Sequence, residues 1–255
     1  MNMAKVIAVS NQKGGVGKSA TVVHTAAALA LFGKRVLVVD LDPQGHVAVN
    51  LGHDPEDLEV TIYDSLEKKD FPIEPVIIHI KDNLDIVPSN IHLAKANFTL
   101  VGRMHREELL KTKLRPLQEQ YAYILIDCPP DLNLLTINAL SAADYVLIPV
   151  QTQYLSLRGL RDLTETIEEV KEHGNPQLSI LGVVPTMFDG TIHAREVLET
   201  LEKQFPGKVM EPIKRRKDFA ELAYAGLTFF DRDRKSDAEI IAAYKFLAQE
   251  VINRA

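Results

Sequence analysis

One nine-residue stretch, residues 11–19, has the residue types that bind a phosphate group, and we call it the phosphate loop. Its three glycines let backbone N–H groups turn toward an anion, while Lys18 adds a positive charge and Ser19 offers a hydroxyl to Mg²⁺. An apolar run at residues 6–9 precedes the loop and a helical pattern follows it, so a helix N-terminus would direct its positive end at the same anion. The alternative is a solvated lysine beside a chance run of glycines, which this strand–loop–helix context disfavours.

The spacing of the phosphate loop departs from the common pattern G-x-x-x-x-G-K-[ST]. The position five residues before Gly17 is Gln12 and not glycine. Lys13 stands directly before the first two glycines, where it would bring a second positive charge to the phosphates. The other residues that we expect around the nucleotide phosphates are Gly14, Gly15, Val16, Gly17 and Ala20.

Two acidic motifs follow apolar runs that are typical of buried parallel strands. Asp40 and Asp42 come at the end of the run at residues 36–39, and Asp127 ends the run at residues 123–126. Ligands of open α/β sheets gather at the carboxyl edge of the strands. An aspartate that ends a strand beside a phosphate loop is the usual holder of the Mg²⁺ water shell. The alternative for Asp127 is a residue that starts a turn or caps the next helix.

Strand and helix patterns alternate along the chain, which predicts a doubly wound, mostly parallel twisted sheet flanked by helices. This is the three-layer α/β/α fold class of the P-loop NTPases, and we expect residues 1–255 to form a single domain. Strands are predicted at residues 6–9, 36–39, 84–87, 123–127, 145–150 and 180–184. Helices are predicted at residues 21–32, 61–66, 91–100, 107–120 with a break at Pro116, 134–143, 155–172, 194–204 and 236–254.

Composition and charge narrow the class of protein. The net charge of −6 gives no general support for nucleic-acid binding, so such binding would need a local basic patch. The apolar runs are shorter than the roughly 20 residues that cross a bilayer, and no signal peptide is expected.

The single cysteine, Cys128, fits a reducing cytosol and is interpreted as a packing residue, since no His or Asn partner is evident. None of the eight histidines has metal-ligand spacing with Cys or carboxylates, so we expect no metal site other than the one for Mg²⁺.

Three motifs taken together resemble the nucleotide motifs of the ParA family, the deviant Walker-type ATPases that position plasmids, chromosomes and other cargo. They are residues 13–19, Asp40-Leu41-Asp42-Pro43-Gln44-Gly45 and Ile126-Asp127-Cys128-Pro129-Pro130. Further segments in family-like order are Asn50-Leu51-Gly52, Thr61-Ile62-Tyr63, Asn138-Ala139-Leu140, Pro149-Val150-Gln151 and Thr186-Met187-Phe188-Asp189-Gly190. The resemblance covers residues 4–251 and is to the short type, without an N-terminal helix-turn-helix domain.

The resemblance implies an ATPase that dimerises around its nucleotide. Lys18 would bind the β- and γ-phosphates of ATP, and Lys13 would be the signature lysine that reaches the ATP of the partner subunit. ATP would close the dimer and slow hydrolysis would open it, which suits a timer better than a metabolic enzyme.

The resemblance also implies a hydrolytic and metal-binding set of side chains. Ser19 would ligate Mg²⁺, and Asp127 would hold it through water. Asp42, assigned to the same metal site, would orient or activate the attacking water. Asp40 would support the loop that carries Asp42. Phosphoryl transfer depends mostly on positioning and charge stabilisation, so this set would suffice for slow hydrolysis.

The resemblance assigns Met187, Ile213 and Arg215 to nucleotide contacts, but the chain departs from the family pattern there. The family often reads Ile-Pro-Arg with the proline close to adenine, and Lys214 replaces that proline. Directly after the lysine of the phosphate loop the family commonly has Thr-Thr, where this chain has Ser19 and Ala20. Because Ala20 keeps its N–H and loses only a hydroxyl near the α-phosphate, we expect a changed affinity for nucleotide and not its loss.

DNA binding is assigned to the densest basic run, which consists of Lys214, Arg215, Arg216 and Lys217. A second basic cluster consists of Arg232, Arg234 and Lys235, which Asp231 and Asp233 are expected to neutralise. If these charges met on one face, they would bind phosphates without sequence preference and with strong salt dependence. The alternative is a solvated loop. The two arginines that short family members use on DNA correspond here to Thr191 and Asp218.

The resulting expectation is an ATP-dependent homodimer that binds nonspecific DNA in the nucleoid and is stimulated by a ParB-like or cargo-adaptor protein. The alternative is a MinD-like membrane ATPase, but the tail at residues 246–255 has only one basic residue, where a membrane helix needs a basic face. Redox relatives such as the nitrogenase iron protein need two cysteines per subunit for their bridging cluster. A binding scaffold without turnover is disfavoured by Lys18, Asp42 and Asp127.

Overall fold

The apolar runs of the sequence form one seven-stranded sheet in the computed structural model, which describes residues 3–153 and 158–255. The strands are β1 (Lys5–Val9), β2 (Val36–Asp40), β3 (Ile78–Lys81), β4 (Leu84–Val87), β5 (Tyr123–Asp127), β6 (Tyr145–Gln151) and β7 (Ser179–Thr186). All six predicted strands are present. The additional strand is β3, in the region between residues 68 and 84 where the sequence pattern is mixed.

The sheet is parallel except at one edge. Its strand order is β3-β4-β2-β5-β1-β6-β7, and only β3 runs antiparallel to its neighbour β4. β5 lies between β1 and β2, with Val9 and Asp40 both level with Asp127. Three strands that are far apart in sequence therefore end side by side. This confirms the predicted fold class.

Ten α-helices connect and cover the strands within the described residues. They are α1 (Lys18–Leu31), α2 (His46–Asn50), α3 (Ile62–Glu67), α4 (Ala96–Thr99), α5 (Leu109–Leu114), α6 (Leu134–Ala142), α7 (Arg158–His173), α8 (Ile192–Gln204), α9 (Asp218–Ala225) and α10 (Ala238–Arg254). The prediction of one helix over residues 91–100 was wrong, because a 3₁₀ turn at Ile91–Lys95 precedes the short α4. The predicted break at Pro116 is confirmed by a 3₁₀ turn at Arg115–Leu117. Residues 155–157 of the helix predicted over 155–172 lie outside the described residues, while α2 and α9 were not predicted.

The strands are buried on both faces, which explains why their sequences are continuous apolar runs. Along β2, Leu37 and Val39 pack into one core cluster while Val36 and Val38 pack into the other. The first cluster lies against the side of the sheet that α3 to α8 cover, and the second against α1, α2, α9 and α10. The result is the three-layer arrangement. None of the helices in the described residues is long and apolar enough to cross a membrane.

An aromatic cluster with a buried histidine lies between α1 and the C-terminal helices. The cluster consists of His24, Phe219, Phe229 and Tyr244, and the ring of His24 lies 5.0–5.2 Å, centroid to centroid, from each of the other three. The Nδ1–H of His24 donates to the carbonyl oxygen of Ala20 at 2.9 Å. Burial lowers the pKa of His24 from its ordinary value of 6.5 to about 4, so the ring is neutral near pH 7.

This buried histidine predicts a loss of stability on acidification. Between pH 6.5 and pH 4 the unfolded chain binds a proton at His24 that the folded chain excludes, so the free energy of unfolding falls as the pH falls. The contribution reaches about 3 kcal/mol at pH 4. Urea unfolding at several pH values should show this slope in the wild type and lack that component in His24→Phe. The exposed-site variant His193→Gln serves as the control and should keep the slope; the same slope in His24→Phe would contradict the assignment.

Candidate active site

The three motifs predicted from the sequence meet at the carboxyl edge of the adjacent strands β2, β5 and β1. The phosphate loop follows β1, the loop with Asp42 follows β2, and Asp127 is the last residue of β5. The strand register places Asp127 between Asp40 on one side and Val9 on the other. The sheet therefore gathers a phosphate-binding loop and three carboxylates at one point.

The phosphate loop has the backbone shape of an anion cradle. Gly15 and Gly17 have φ angles of +72° and +86°, which residues with a Cβ rarely adopt. A Cβ built at either glycine, or at Gly14, would meet no atom within 4 Å, so there is open space beside the loop. α1 begins at Lys18, whose side chain is buried, and its first turn directs backbone N–H groups toward that space.

Side-chain hydrogen bonds hold both ends of the phosphate loop. The Nδ2–H of Asn11 donates to the carbonyl of Pro149 at 2.6 Å, and the Oδ1 of Asn11 accepts the N–H of Lys13 at 2.9 Å. The hydroxyl of Thr186 donates to the carbonyl of Val16 at 2.8 Å. These contacts tie the loop to the ends of β6 and β7, so the chain's own side chains fix the shape of the loop.

Lys13 lies half-buried at the rim of the loop. Its Nζ donates to the Oε1 of Gln151 at 3.0 Å, at the end of β6. The ammonium group is thus close to the phosphate loop and held by its own subunit.

Asp40 and Asp42 have different environments. Asp40 is fully buried and accepts the N–H groups of Asp42 and Val47, at 2.9 and 3.1 Å. Burial and the neighbouring Asp127 hold the pKa of Asp40 well above its usual range, which fits a structural residue that shapes the loop. The Oδ1 of Asp42 accepts the N–H of Gln44 at 3.0 Å, and the hydroxyl of Ser89 donates to the Asp42 carbonyl.

Asp127 is the residue whose surroundings fit a cation most clearly. It is fully buried, and neither carboxylate oxygen accepts a well-formed hydrogen bond from a described residue. Burial raises the pKa of Asp127 to about 7, while the nearby Ser19 hydroxyl and Lys18 ammonium oppose that rise. A buried carboxylate with open coordination beside a serine hydroxyl and a phosphate cradle fits Mg²⁺, which takes few protein ligands and shares phosphate oxygens. Within the described residues, no group of three or more His, Cys, Asp and Glu is arranged to hold another metal ion.

The residues assigned to the nucleotide base come together at one side of the site. The N–H of Phe188, next to Met187, donates to the carbonyl of Ile213 at 3.0 Å, and the N–H of Arg215 donates back to Phe188 at 3.0 Å. Met187 has a φ of +54°, which marks a sharp turn after β7. The side chain of Ile213 is buried in the core, and its N–H already bonds Pro185. Of the three residues assigned to the nucleotide, Met187 and Arg215 are thus the ones that are not buried in the core.

Ion pairs engage two of the four basic side chains at residues 214–217. Arg216 is half-buried and binds Asp218 and Asp237, both at 2.9 Å. Lys214 pairs with Glu239 at 2.5 Å, while Arg215 and Lys217 are exposed. The run thus presents a smaller positive surface than its sequence indicates.

In the second basic cluster, Arg232 is paired with other acids than the sequence predicted. Arg232 binds Asp218 at 3.0 Å and Asp237 at 2.5 Å, whereas Asp231 binds Lys81 at 2.7 Å. The prediction that Asp231 neutralises the cluster was wrong, because tertiary contacts bring Asp237 and Asp218 closer to Arg232. We call Arg216, Arg232, Asp218 and Asp237 the ion-pair network.

Sequence reasoning missed one basic residue at this edge, Arg195. It is exposed on α8 and lines a cleft of about 680 Å³ together with Lys214, Arg215 and Lys217. The family pattern pointed to Thr191, which instead caps α8 by accepting the N–H of Ala194. Arg195 lies about one helical turn after the cap residue Thr191, and this spacing is the signal that could have identified it.

Comparison with known proteins places this site in a family. The family model described as an AAA domain matches residues 4–180. The sporulation initiation inhibitor protein Soj of Bacillus subtilis is 45% identical over 212 residues, which cover 83% of this chain and 84% of Soj. The chromosome partitioning protein ParA of Myxococcus xanthus is 44% identical over 214 residues, which cover 83% of this chain and 75% of that protein.

Solved structures give the same result. Cobyrinic acid a,c-diamide synthase from Mycobacterium smegmatis, with bound ATP analogue and magnesium, has a TM-score of 0.86 at 36% identity and covers 98% of this chain and 95% of its own. The ATP complex of a McdA variant from Cyanothece has a TM-score of 0.88 at 22% identity, covers 98% of this chain and 97% of its own, and shows the shared fold. The motifs, the arrangement of the three strand ends and the similarity to Soj and ParA agree: the chain belongs to the ParA family of P-loop ATPases.

Proposed function

We propose that this chain, acting as a single domain of residues 1–255, is an ATP-dependent dimerising ATPase that binds nonspecific DNA. It would thereby partition or position a plasmid, a chromosome or another cargo. The observation that carries the proposal is the buried carboxylate of Asp127, whose oxygens accept no well-formed hydrogen bond from a described residue, beside Ser19 and the preformed phosphate loop. The name of its Myxococcus xanthus relative, the chromosome partitioning protein ParA, supports partitioning as the process.

The proposed nucleotide is ATP with Mg²⁺. The N–H groups of the phosphate loop and the first turn of α1 would surround the phosphates, and the buried Lys18 would place its charge against the β- and γ-phosphates. Ser19 and Asp127 would hold Mg²⁺, with Asp42 nearby. The ion, when bound, neutralises charge on the phosphate oxygens.

Asp42 is the proposed residue that orients the attacking water. Its backbone is held by the carboxylate of Asp40 and the hydroxyl of Ser89, and its carboxylate accepts the N–H of Gln44. A side chain fixed in this way could hold a water near the γ-phosphate, and a single carboxylate is a weak base. We expect slow hydrolysis, which a ParB-like or cargo-adaptor protein would stimulate.

Lys13 is the proposed link between two subunits. To reach the ATP of a partner it would exchange its hydrogen bond with Gln151 for a phosphate oxygen, so the dimer would form only with ATP in place. Loss of the γ-phosphate would remove that contact and open the dimer.

The proposed DNA surface lies at the edge lined by Arg195, Lys214, Arg215 and Lys217. Arg216 supports it from behind, since its charge is already used in the ion-pair network. The surface carries positive charge on a chain of net charge −6, which would confine phosphate binding to this edge. We therefore propose that the protein acts in the cytoplasm in association with the nucleoid.

Two other functions of similar proteins have weaker support. In a MinD-like membrane ATPase the C-terminal helix would offer its apolar face to lipid, but Tyr244, Leu247 and Val251 of α10 are buried in the core. The Mycobacterium smegmatis relative is a diamide synthase. Cys128, the one cysteine of this chain, is buried, and burial raises the pKa of its thiol above the usual range, so it is not a reactive thiol.

A double substitution tests the DNA surface. Arg195→Ala with Lys217→Ala, at two positions of this edge that are not assigned to the nucleotide, should weaken ATP-dependent DNA binding about equally on all sequences, because phosphate contacts carry no sequence information. The slope of log K against log salt should fall by about 0.9 for each phosphate contact that is lost. Fluorescence anisotropy with two unrelated duplexes measures both.

The matched control for this test is Lys69→Ala with Lys111→Ala, which removes the same charge from exposed positions near α3 and α5. It should leave the salt slope unchanged. If both double variants lowered the affinity equally, general charge and not this edge would explain the binding.

A further inference from the structure

The aromatic cluster packs directly on the helix that begins at the phosphate loop. His24 lies in the second turn of α1, and its hydrogen bond to Ala20 runs back toward Lys18 and Ser19. Phe219 of α9 and Phe229 of the following 3₁₀ turn both contact the His24 ring, at 5.2 Å between centroids. A movement of the first turns of α1 would therefore displace these rings directly.

The same C-terminal segment also contacts the helix behind Asp42. α2 begins directly after the loop that carries Asp42, and its end meets the end of α9 at Gly52 and Gly226. A Cβ built on Gly226 would lie 2.5 Å from the Cα of Gly52, so only glycine allows this approach. α9 thus contacts both α1, which follows the phosphate loop, and the end of α2, which follows the loop of Asp42.

From the aromatic cluster, contacts continue to the basic edge. The guanidinium groups of Arg216 and Arg232 lie over the ring of Phe229, at 5.8 and 5.1 Å from its centroid. Both arginines belong to the ion-pair network, in which Asp237 is fully buried. Arg216 stands between Arg215 and Lys217 in the chain, so its position fixes theirs.

We propose that the aromatic cluster couples the nucleotide site to the basic edge, with His24 as the positioning residue. The contact chain runs from α1 through the His24 ring to Phe229 and Arg216. Close-packed rings shift as a unit and do not deform gradually, so a small displacement of α1 or α2 on nucleotide binding moves the base of the edge. His24 does not act as a proton carrier in this role, since it stays neutral. The inference rests on the proposed function only in naming DNA as the ligand of that edge.

Two variants separate the ring from its nitrogen atoms. His24→Ala removes the ring contacts, whereas His24→Phe keeps a ring of similar size and removes the hydrogen bond to Ala20. Leu110→Ala, a buried change of α5 in the other core cluster, controls for loss of stability alone. Neither His24 nor Leu110 belongs to the phosphate loop or lines the basic edge.

The first measurement is hydrogen exchange across residues 218–231 with and without a non-hydrolysable ATP analogue and Mg²⁺. The wild type, His24→Phe and Leu110→Ala should each show a nucleotide-dependent change in exchange there, and His24→Ala should not. The second is the affinity for duplex DNA with and without the same analogue. We expect His24→Ala to bind the analogue but to lose about tenfold or more of the increase in DNA affinity that nucleotide gives the wild type.

The outcomes are distinguishable. If His24→Ala showed the wild-type exchange response and the wild-type increase in DNA affinity, the coupling role would be overturned. If His24→Phe behaved like His24→Ala, the hydrogen bond to Ala20 and not the ring contact would carry the effect, which also overturns the proposal. If no variant bound DNA while the exchange responses followed the expected pattern, the coupling would stand and the DNA part of the proposed function would fall.

Discussion

Replacing Lys18 with alanine should reduce ATP hydrolysis by about 100-fold or more and weaken ATP binding. The reason is the position of its ammonium group, which is buried at the start of α1 and is close enough to Asp127 to oppose the rise that burial causes in the pKa of that carboxyl. A preorganised charge in such a site stabilises the transferring phosphoryl group far more than one in water, and loss of a comparable donor costs about 10²- to 10³-fold in rate. Steady-state phosphate release and binding of a fluorescent ATP analogue measure the two effects.

The control for this experiment is Lys34→Ala, which removes the same charge beyond the other end of α1. It should hydrolyse ATP at the wild-type rate. Removing the lysine leaves the buried Asp127 carboxylate with one compensating neighbour fewer, which could lower stability. Thermal unfolding should therefore be measured to show that Lys18→Ala is folded. Wild-type hydrolysis by a folded Lys18→Ala protein would contradict the assignment of the phosphate loop.

Replacing Asp42 with alanine should separate binding from hydrolysis. The carboxylate lies beside the phosphate site but is not part of the phosphate cradle, so ATP should still bind while the hydrolysis rate falls by about 100-fold. Because hydrolysis is the step that opens the dimer in our proposal, the variant should accumulate as an ATP-bound dimer. Analytical ultracentrifugation with ATP and with ADP shows whether it does.

Asp42→Asn tests whether the effect comes from the charge. Asparagine can still accept the N–H of Gln44, so the loop should keep its shape while the carboxylate is lost. The exposed Asp57→Ala is the control and should leave hydrolysis unchanged. An unchanged hydrolysis rate in Asp42→Ala would remove Asp42 from the hydrolytic set.

The sequence predicted the fold well because its strands are buried on both faces. Runs such as those at residues 36–39 and 123–126 have no competing helical period, and each ends in an acid that marks the carboxyl edge. The sequence order did not show that β5 inserts between β1 and β2. That insertion is what brings Asp127 next to the phosphate loop, and it depends on tertiary packing.

The missed elements are those whose local signal is weak. α2 is five residues long and starts after Gly45, which has a positive φ, and β3 is an edge strand that is only partly buried. α9 was hidden by the basic run before it, which drew the interpretation toward a solvated or DNA-binding loop. Its end is set by Gly226 against Gly52, a contact between distant segments that no local pattern indicates.

Counting charges along the chain overestimated the basic surface. Arg216 and Asp237 are 21 residues apart in sequence, but their side chains lie 2.9 Å apart in the fold. A count of charges over neighbouring residues therefore treats Arg216 as an unpaired cation, whereas the folded chain pairs it. Arg195 was underestimated for the opposite reason, because it stands alone in sequence and joins Arg215 and Lys217 only in the folded chain. Surface charge is a tertiary property, whereas the phosphate loop is a local one.

The most direct test of the central claim is the affinity for a nonspecific DNA duplex with ATP, with ADP and without nucleotide, across a salt series. The account predicts tight binding only with ATP, the same affinity for unrelated duplex sequences, and a steep linear fall of log K with log salt. Binding that is the same in all three nucleotide states, or that salt does not weaken, would contradict an ATP-gated DNA-binding ATPase.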